Sequence, residues 1–173
     1  SDSYDSNGIF SKKDYQSVGA ILLILCMSVT STAVFAEEEE PESFSSVQVD
    51  ADTFDLRTPC GITEEELEAV LKHDLKGMAK YYLAAEEKYN VNAVFLASVS
   101  ALESGWGRYC FRPNNIFGYG RNSFNSYGEC IDFVASKLSK NYLSEDGRYY
   151  SGTTIDAVNC YYNGRDVWAE TVK

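Results

Sequence analysis

The spacing of apolar residues predicts a chain that is mainly helical from residue 63 onward. Thr63 and Glu66 form a capping-box pattern, which predicts the start of a first helix. A second helix is predicted from about Leu75 to Tyr89. In both helices apolar side chains recur at intervals of three and four, the period of a helix with one face in a core: Leu67, Val70, Leu71, Met78, Ala79, Tyr82 and Leu83.

Four further helices are predicted in the second half of the chain. Asn92 is expected to cap the segment AVFLASVSALES, which is so apolar that its helix must be central to the core. Ser126 and Glu129 repeat the capping-box pattern at the start of a fourth helix. Thr154 is expected to start a fifth helix, and Asp166 is expected to cap the last one.

The segment between Gly105 and Phe124 is rich in glycine, asparagine and aromatic residues, which predicts a loop. We find no convincing strand alternation in the sequence. Together the patterns predict an all-α domain of about 115 residues, which is long enough to bury one core.

Charge divides the chain into unlike parts. The sequence carries 15 basic and 26 acidic residues, a net charge of −11, which argues against a nucleic-acid partner. Residues 37–56 hold eight of the acidic residues and no basic one, so we predict an acidic disordered linker there. Residues 57–173 carry 13 basic and 15 acidic residues and are predicted to form the folded domain.

Residues 1–36 have the pattern of a targeting segment. Lys12 and Lys13 precede an uncharged apolar run at residues 18–36, which ends in small residues. A signal peptide is the preferred interpretation, and an uncleaved N-terminal membrane anchor is the alternative. Either interpretation predicts a secreted or cell-surface protein, with membrane contact only if the segment stays uncleaved.

The cysteines and the single histidine limit the possible chemistry. In an oxidising compartment Cys60, Cys110, Cys130 and Cys160 allow three disulfide connectivities, and free thiols are the alternative. One histidine and no CxxC pair give no credible metal site, so we expect neither a metal nor another cofactor.

Glu103 interrupts the apolar pattern at the end of the third predicted helix. It follows Phe95 and Val99 in steps of four, and a carboxylate there loses hydration and meets the negative end of the helix dipole. Both effects raise its pKa, which suits a carboxylic acid that donates a proton near neutral pH. The alternative is a surface glutamate near a helix end, and spacing alone leaves both possibilities open.

The sequence around Glu103, LASVSALESGWGRYCFRPNNIFGYG, resembles a known enzyme family. An apolar helix that ends in Glu-Ser-x-x-Gly, followed by an Asn-x-Phe-Gly turn, is the pattern of the bacterial N-acetylglucosaminidases of glycoside hydrolase family 73, of the autolysin and flagellar-muramidase type. The resemblance covers about residues 61–172. It includes Tyr162 and Trp168, which have the spacing of the family's closing helix.

The resemblance implies a lysozyme-like α-domain, with a reduced or absent β-lobe, that hydrolyses the β-1,4 bond after N-acetylglucosamine in the glycan strand of peptidoglycan. By the same resemblance Glu103 is the general acid and Tyr162 lines the same cleft as a second catalytic residue. The alternative for Tyr162 is a core aromatic. We expect a monomer.

The resemblance also implies a set of substrate-binding residues. Asn115 and Phe117 are expected to shape the turn that faces the acid, and Trp168 to contribute from the closing helix. Trp106 and Tyr119 are candidates for stacking on sugar rings, although packing explains these two nearly as well.

The sequence departs from the usual glycosidase pattern because no acidic residue lies between Glu103 and Glu129. Glu129 fits a capping role, and Asp132 is predicted to be solvated. The substrate's acetamide, a water held by Tyr162 or an acidic residue from elsewhere remains as the second group. A lytic transglycosylase that uses a single glutamate and a catalytically inactive glycan-binding module are therefore the alternative functions.

Overall fold

The computed structural model describes residues 50–173 of the chain. The predicted signal peptide or anchor at residues 1–36, and residues 37–49 of the predicted linker, lie outside the described residues. No helix within residues 50–173 is long and apolar enough to cross a membrane.

The described residues form an all-α, lysozyme-like fold, and no strand occurs among them, which confirms the predicted fold class. Two irregular elements, a 3-10 turn at His73–Leu75 and a π-helical turn at Ser139–Leu143, accompany the α-helices. The six α-helices of this part of the chain are α1 (Glu64–Val70), α2 (Ala79–Tyr89), α3 (Ala93–Ser104), α4 (Tyr127–Leu138), α5 (Ile155–Tyr162) and α6 (Asp166–Val172).

Helix α3 is the centre of the core, as its apolar sequence predicts. All of its residues are buried except Glu103, which is only partly exposed. Asn92 caps the helix, since its side chain accepts the Phe95 N–H at 2.9 Å and donates to the Thr58 carbonyl at 2.9 Å. The cap therefore joins the central helix to the segment that precedes α1.

The capping predictions at Thr63 and Thr154 are confirmed. The Thr63 hydroxyl accepts the Glu66 N–H, and the Glu66 carboxylate accepts the Thr63 N–H, so the box is complete. The Thr154 hydroxyl accepts the Ala157 N–H at the start of α5. Ser126 caps α4, but the Glu129 carboxylate accepts the N–H of Asn125, one residue earlier than a capping box requires.

Two predicted helix starts are wrong. The second helix begins at Ala79 instead of Leu75, because Lys76 is extended and Gly77 has φ of +82°, which interrupts the helical backbone. Asp166 does not cap the last helix. It is the first helical residue, and Arg165 occupies the cap position without a side-chain capping bond.

The last seven residues of the predicted linker pack on the domain. The Leu56 N–H donates to the Thr153 carbonyl, and the Leu56 carbonyl accepts the Asn92 N–H, both at 2.8 Å. The Leu56 side chain is 1% exposed, and the Asp52 carboxylate lies 2.5 Å from the Lys173 ammonium group. Residues 50–56 thus contact the folded domain.

The four cysteines of the described chain, Cys60, Cys110, Cys130 and Cys160, are free thiols in the structure, as the alternative interpretation of the sequence expected. Burial raises the pKa of Cys60 and of Cys130 to about 11, which keeps both thiols protonated at neutral pH.

We predict that Asn92→Ala lowers the free energy of unfolding by about 2 kcal/mol, because it removes the cap of the central helix and the bond from the buried Asn92 side chain to the Thr58 carbonyl. Urea denaturation measures the change. The control is Thr63→Ala, which removes an exposed cap on α1 and is expected to cost about 1 kcal/mol. Equal losses for the two variants would contradict the central role of the Asn92 cap.

Candidate active site

A cleft of about 350 Å³ opens where the exit of α3, the loop between α3 and α4, the π-helical turn and the end of α5 meet. Its walls are mainly aromatic and glycine residues, with one carboxylate. The lining residues are Glu103, Phe117, Gly118, Tyr119, Gly120, Tyr142, Tyr162 and Asn163.

The backbone after Glu103 turns sharply, and Ser104 holds the turn. The Ser104 hydroxyl donates to the Ser100 carbonyl at 2.6 Å and accepts the Gly107 N–H at 2.8 Å, and the residue is fully buried. Gly107 has φ of +85°, and a Cβ there would lie 3.0 Å from the Asp74 Cβ, so only glycine fits without strain. The Glu-Ser-x-x-Gly motif is therefore the set of residues that lets α3 end at the cleft.

The Glu103 carboxyl is partly buried and contacts the last helix of the chain. The Trp168 indole N–H donates to Glu103 Oε1 at 2.8 Å. Burial raises the pKa of Glu103 above its ordinary value, and the indole hydrogen bond opposes part of that rise because it stabilises the carboxylate. Burial is one of the two causes for which the sequence predicts a raised pKa.

The Tyr162 hydroxyl is buried beside the same cleft without a hydrogen-bond partner among the described residues. Its ring packs on Trp168, with 5.2 Å between the ring centroids, and also lies near Tyr119 and Tyr142. Burial, and next the nearby charge of Glu103, raise the pKa of Tyr162 well above its ordinary value. The phenol is therefore neutral near pH 7.

Asn115 holds the turn that faces Glu103, and it lies on the side of that turn away from the cleft. Its side-chain amide donates to the Tyr119 and Asn122 carbonyls at 3.2 and 3.0 Å, and its oxygen accepts the Tyr119 N–H at 2.9 Å. These bonds hold the turn close to Glu103. A Cβ at Gly118, which has φ of +59°, would lie 3.7 Å from Glu103 Oε2. Asn115 itself is buried and does not line the cleft.

The structure brings four of the predicted site residues together and places three elsewhere. Glu103, Phe117, Tyr119 and Tyr162 line the cleft, with Phe117 as a wall. Trp106, for which stacking on a sugar and packing were both open, is 3% exposed and does not line the cleft, so packing accounts for it. Asn115 and Trp168 are also buried behind the lining, where they contact the turn and Glu103 instead of the open cleft.

Four lining residues were missed from the sequence. Gly118 ends the Asn-x-Phe-Gly turn and Gly120 follows it two residues later, so the glycine-rich composition of the predicted loop was the available signal. Tyr142 belongs to the π-helical turn and lines the cleft from there. Asn163 follows Tyr162 directly at the end of α5, and no pattern singled it out.

Glu103 is the only carboxylate among the described residues that line the cleft. The two candidates considered from the sequence have other partners. Glu129 accepts the Asn125 N–H at 2.8 Å, while Asp132 pairs with Lys88 at 2.7 Å and accepts the Tyr89 hydroxyl at 2.9 Å. Residues 50–173 contain no cluster of three histidine, cysteine or acidic side chains suited to a metal ion.

Residues 79–173 match the family described as mannosyl-glycoprotein endo-beta-N-acetylglucosaminidase, more than half of the chain. The chain belongs to this glucosaminidase family. The match confirms the family resemblance seen around Glu103.

Two curated proteins are similar to the glucosaminidase chain. Both carry the name "Putative endo-beta-N-acetylglucosaminidase" and come from Streptococcus pneumoniae, one from serotype 4 strain TIGR4 and one from strain R6. Each is 27% identical to this chain over 135 residues, which is 68% of this chain and 20% or 19% of the relative. The chain therefore spans about a fifth of the length of these relatives.

The raised pKa of Glu103 makes a prediction about the stability of the glucosaminidase domain. A buried acid whose folded pKa is raised favours folding below its unfolded pKa, and this contribution is lost as pH rises through the folded pKa. Glu103→Gln is therefore expected to unfold at higher urea concentration than the wild type near pH 7.5, with the advantage disappearing near pH 4.

Urea denaturation at the two pH values measures this difference. Glu87→Gln, at an exposed position of α2, is the matched control and is expected to change the midpoint little at either pH. A destabilised Glu103→Gln variant near pH 7.5 would show that the carboxylate is well solvated or well paired in the folded state.

Proposed function

We propose that this domain is a peptidoglycan hydrolase, an endo-β-N-acetylglucosaminidase that cleaves the β-1,4 bond after N-acetylglucosamine with Glu103 as general acid. One observation carries the proposal. A carboxyl group with a raised pKa faces a cleft beside a buried tyrosine hydroxyl that has no partner among the described residues. The family match and the names of the two relatives support the same substrate class.

The contacts of Glu103 indicate which oxygen carries the proton. Oε1 accepts the Trp168 N–H, so the acidic proton belongs on Oε2, the oxygen that faces Gly118 across the cleft. In the proposed reaction this proton passes to the glycosidic oxygen as the bond from that oxygen to C1 breaks, and the carboxyl group becomes a carboxylate. The indole N–H stabilises the carboxylate that forms.

Tyr162 acts in this proposal as a hydrogen-bond donor. Its raised pKa makes it a poor base at neutral pH, while its buried hydroxyl lacks a partner within the described part of the chain. An unpartnered buried hydroxyl costs free energy, which a substrate oxygen in the cleft recovers. The carbonyl of the 2-acetamido group is suited to that position, and so is the water that completes hydrolysis.

The lytic transglycosylase remains the second candidate because one observation favours it. Only one carboxylate lines the described cleft, and a transglycosylase needs no second carboxylate. Mass spectrometry of digested peptidoglycan separates the two reactions. Reducing-end N-acetylglucosamine identifies the hydrolase that we propose, and anhydro-muramic ends identify the transglycosylase.

We propose a site of action at the bacterial cell surface, where peptidoglycan is located. The predicted signal peptide or anchor supports this location. Recognition of the strand is expected to use hydrogen bonds and stacking, because the residues that line the cleft carry a single ionisable carboxyl group and no basic side chain.

We predict that Glu103→Gln lowers the rate of peptidoglycan hydrolysis at least 10²-fold, because glutamine cannot donate a proton to the leaving oxygen. Release of soluble fragments from purified walls measures the rate. Glu129→Gln is the control, since it changes a carboxylate that accepts the Asn125 N–H outside the cleft, and it is expected to stay within a few fold of the wild type. Unchanged lysis by Glu103→Gln would remove Glu103 from the reaction, and an inactive wild type would favour the glycan-binding module.

Trp168→Phe is expected to move the alkaline limb of the pH–rate profile to higher pH. The substitution removes the N–H that stabilises the Glu103 carboxylate, so the pKa of the acid rises further. Activity needs the protonated acid, and it is then retained to higher pH even if the maximal rate falls. A profile that only decreases in height, with its alkaline limb unmoved, would assign Trp168 a packing role alone.

A further inference from the structure

Residues 108–112, which we call the Arg-aromatic strip, follow the exit of α3 and read Arg-Tyr-Cys-Phe-Arg. Phe111 is 83% exposed and Tyr109 is 52% exposed, and Phe111 is the most exposed of the large hydrophobic side chains in the described chain. These two rings add little to the core, so folding alone does not explain them.

Each exposed ring has a guanidinium group beside it. The central guanidinium carbon of Arg108 lies 5.4 Å from the centre of the Tyr109 ring, and that of Arg112 lies 5.6 Å from the centre of the Phe111 ring. Such pairs present a flat apolar face and a bidentate hydrogen-bond donor side by side. The strip thus offers two copies of the same composite surface.

The charge around the strip is opposite to that of the whole chain. Residues 104–128 contain three arginines, Arg108, Arg112 and Arg121, and no acidic residue, whereas the chain has a net charge of −11. The connection between α3 and α4 therefore carries three positive charges, and Asp74 of the 3-10 turn is the acidic residue that the structure places beside it, at Gly107. A carboxylate-bearing partner complements it, and a neutral one does not.

Backbone hydrogen bonds tie the strip to both walls of the cleft. The Tyr109 N–H donates to the Ser104 carbonyl at 2.9 Å, directly after Glu103. The Arg112 carbonyl accepts the Asn115 N–H at 3.1 Å, and the Asn115 side chain holds the Tyr119 backbone, which belongs to the cleft lining. The strip is therefore held by the same loop backbone that positions Glu103 and Tyr119.

We infer that the Arg-aromatic strip binds the peptidoglycan glycan strand outside the cleft, with its rings against the apolar faces of the sugars and its guanidinium groups on the carboxylates of the stem peptides. This inference rests on the proposed function. Aromatic faces suit the C–H faces of pyranose rings, and arginine pairs with carboxylates in bidentate geometry. The cleft of about 350 Å³ is at the small end of ligand pockets, so a long strand needs contacts beyond it.

Co-sedimentation with purified peptidoglycan sacculi tests the strip without needing catalysis, because every variant is made in the Glu103→Gln background. Tyr109→Ala/Phe111→Ala and Arg108→Ala/Arg112→Ala are each expected to weaken binding to sacculi about tenfold. The arginine pair is also expected to lower the salt dependence of binding. Binding of a tetrasaccharide fragment without stem peptides, which reports on the cleft alone, is expected to stay within about twofold.

Lys88→Ala/Lys140→Ala is the matched control, because it removes two positive charges from exposed positions outside the strip, and it is expected to bind sacculi like the parent. Unchanged sacculus binding by both strip variants would overturn the inference. So would an equal loss on sacculi and tetrasaccharide, or tighter binding of a single-stranded oligonucleotide than of sacculi. The wild-type protein, which keeps Glu103, tests the proposed function separately. If it fails to cleave walls while the strip variants lose sacculus binding, the proposed hydrolase activity is contradicted and binding of the strand by the strip is supported.

Discussion

The desolvation of one carboxyl group is the constraint on which the rest of the site depends. Helix α3 is buried along its length, and Glu103 is its one partly exposed residue, at the point where the chain leaves the core. Burial raises the pKa of this group, so its ionised form lowers the stability of the fold near neutral pH. This loss of stability accompanies the position of an acid beside the cleft. The surrounding contacts keep this acid in one place.

Two distant parts of the chain hold Glu103. On its own helix, the Ser104 hydroxyl closes the exit turn through Ser100 and Gly107, so the backbone that carries Glu103 is fixed by short-range bonds. From the far end of the domain, Trp168 donates to Oε1 and also packs on Tyr162. The last helix thus positions the acid and the tyrosine together.

Much of the fold could be predicted from the sequence because its signals are local. The capping residues Thr63, Asn92 and Thr154 act within three residues of themselves, and all three cap their helices in the structure. The start of α2 was misplaced because apolar spacing continued across Gly77, whose positive φ interrupts the backbone. The periodicity of apolar residues indicates which face of a helix is buried, but it does not indicate where the helical backbone is interrupted.

The candidate site was only partly predictable, for a related reason. Glu103 was found because it breaks a pattern within its own helix, and Tyr162 came from a family resemblance. The bond from Trp168 to Glu103 joins residues 65 positions apart, and the burial of Trp106 depends on how several segments pack. No spacing rule contains that information, so both tryptophans were assigned to the substrate.

The most direct test of the account is a measurement of the protonation of Glu103 itself. The protein is labelled with ¹³C at the side-chain carboxyl of glutamate and titrated by NMR. The signal that is missing in Glu103→Gln belongs to Glu103, and its titration in the wild type gives the pKa of that group. The account predicts a value above the ordinary 4.5. A Glu103 that titrates at or below 4.5 would contradict it, because an acid already ionised well below neutral pH has no proton to donate.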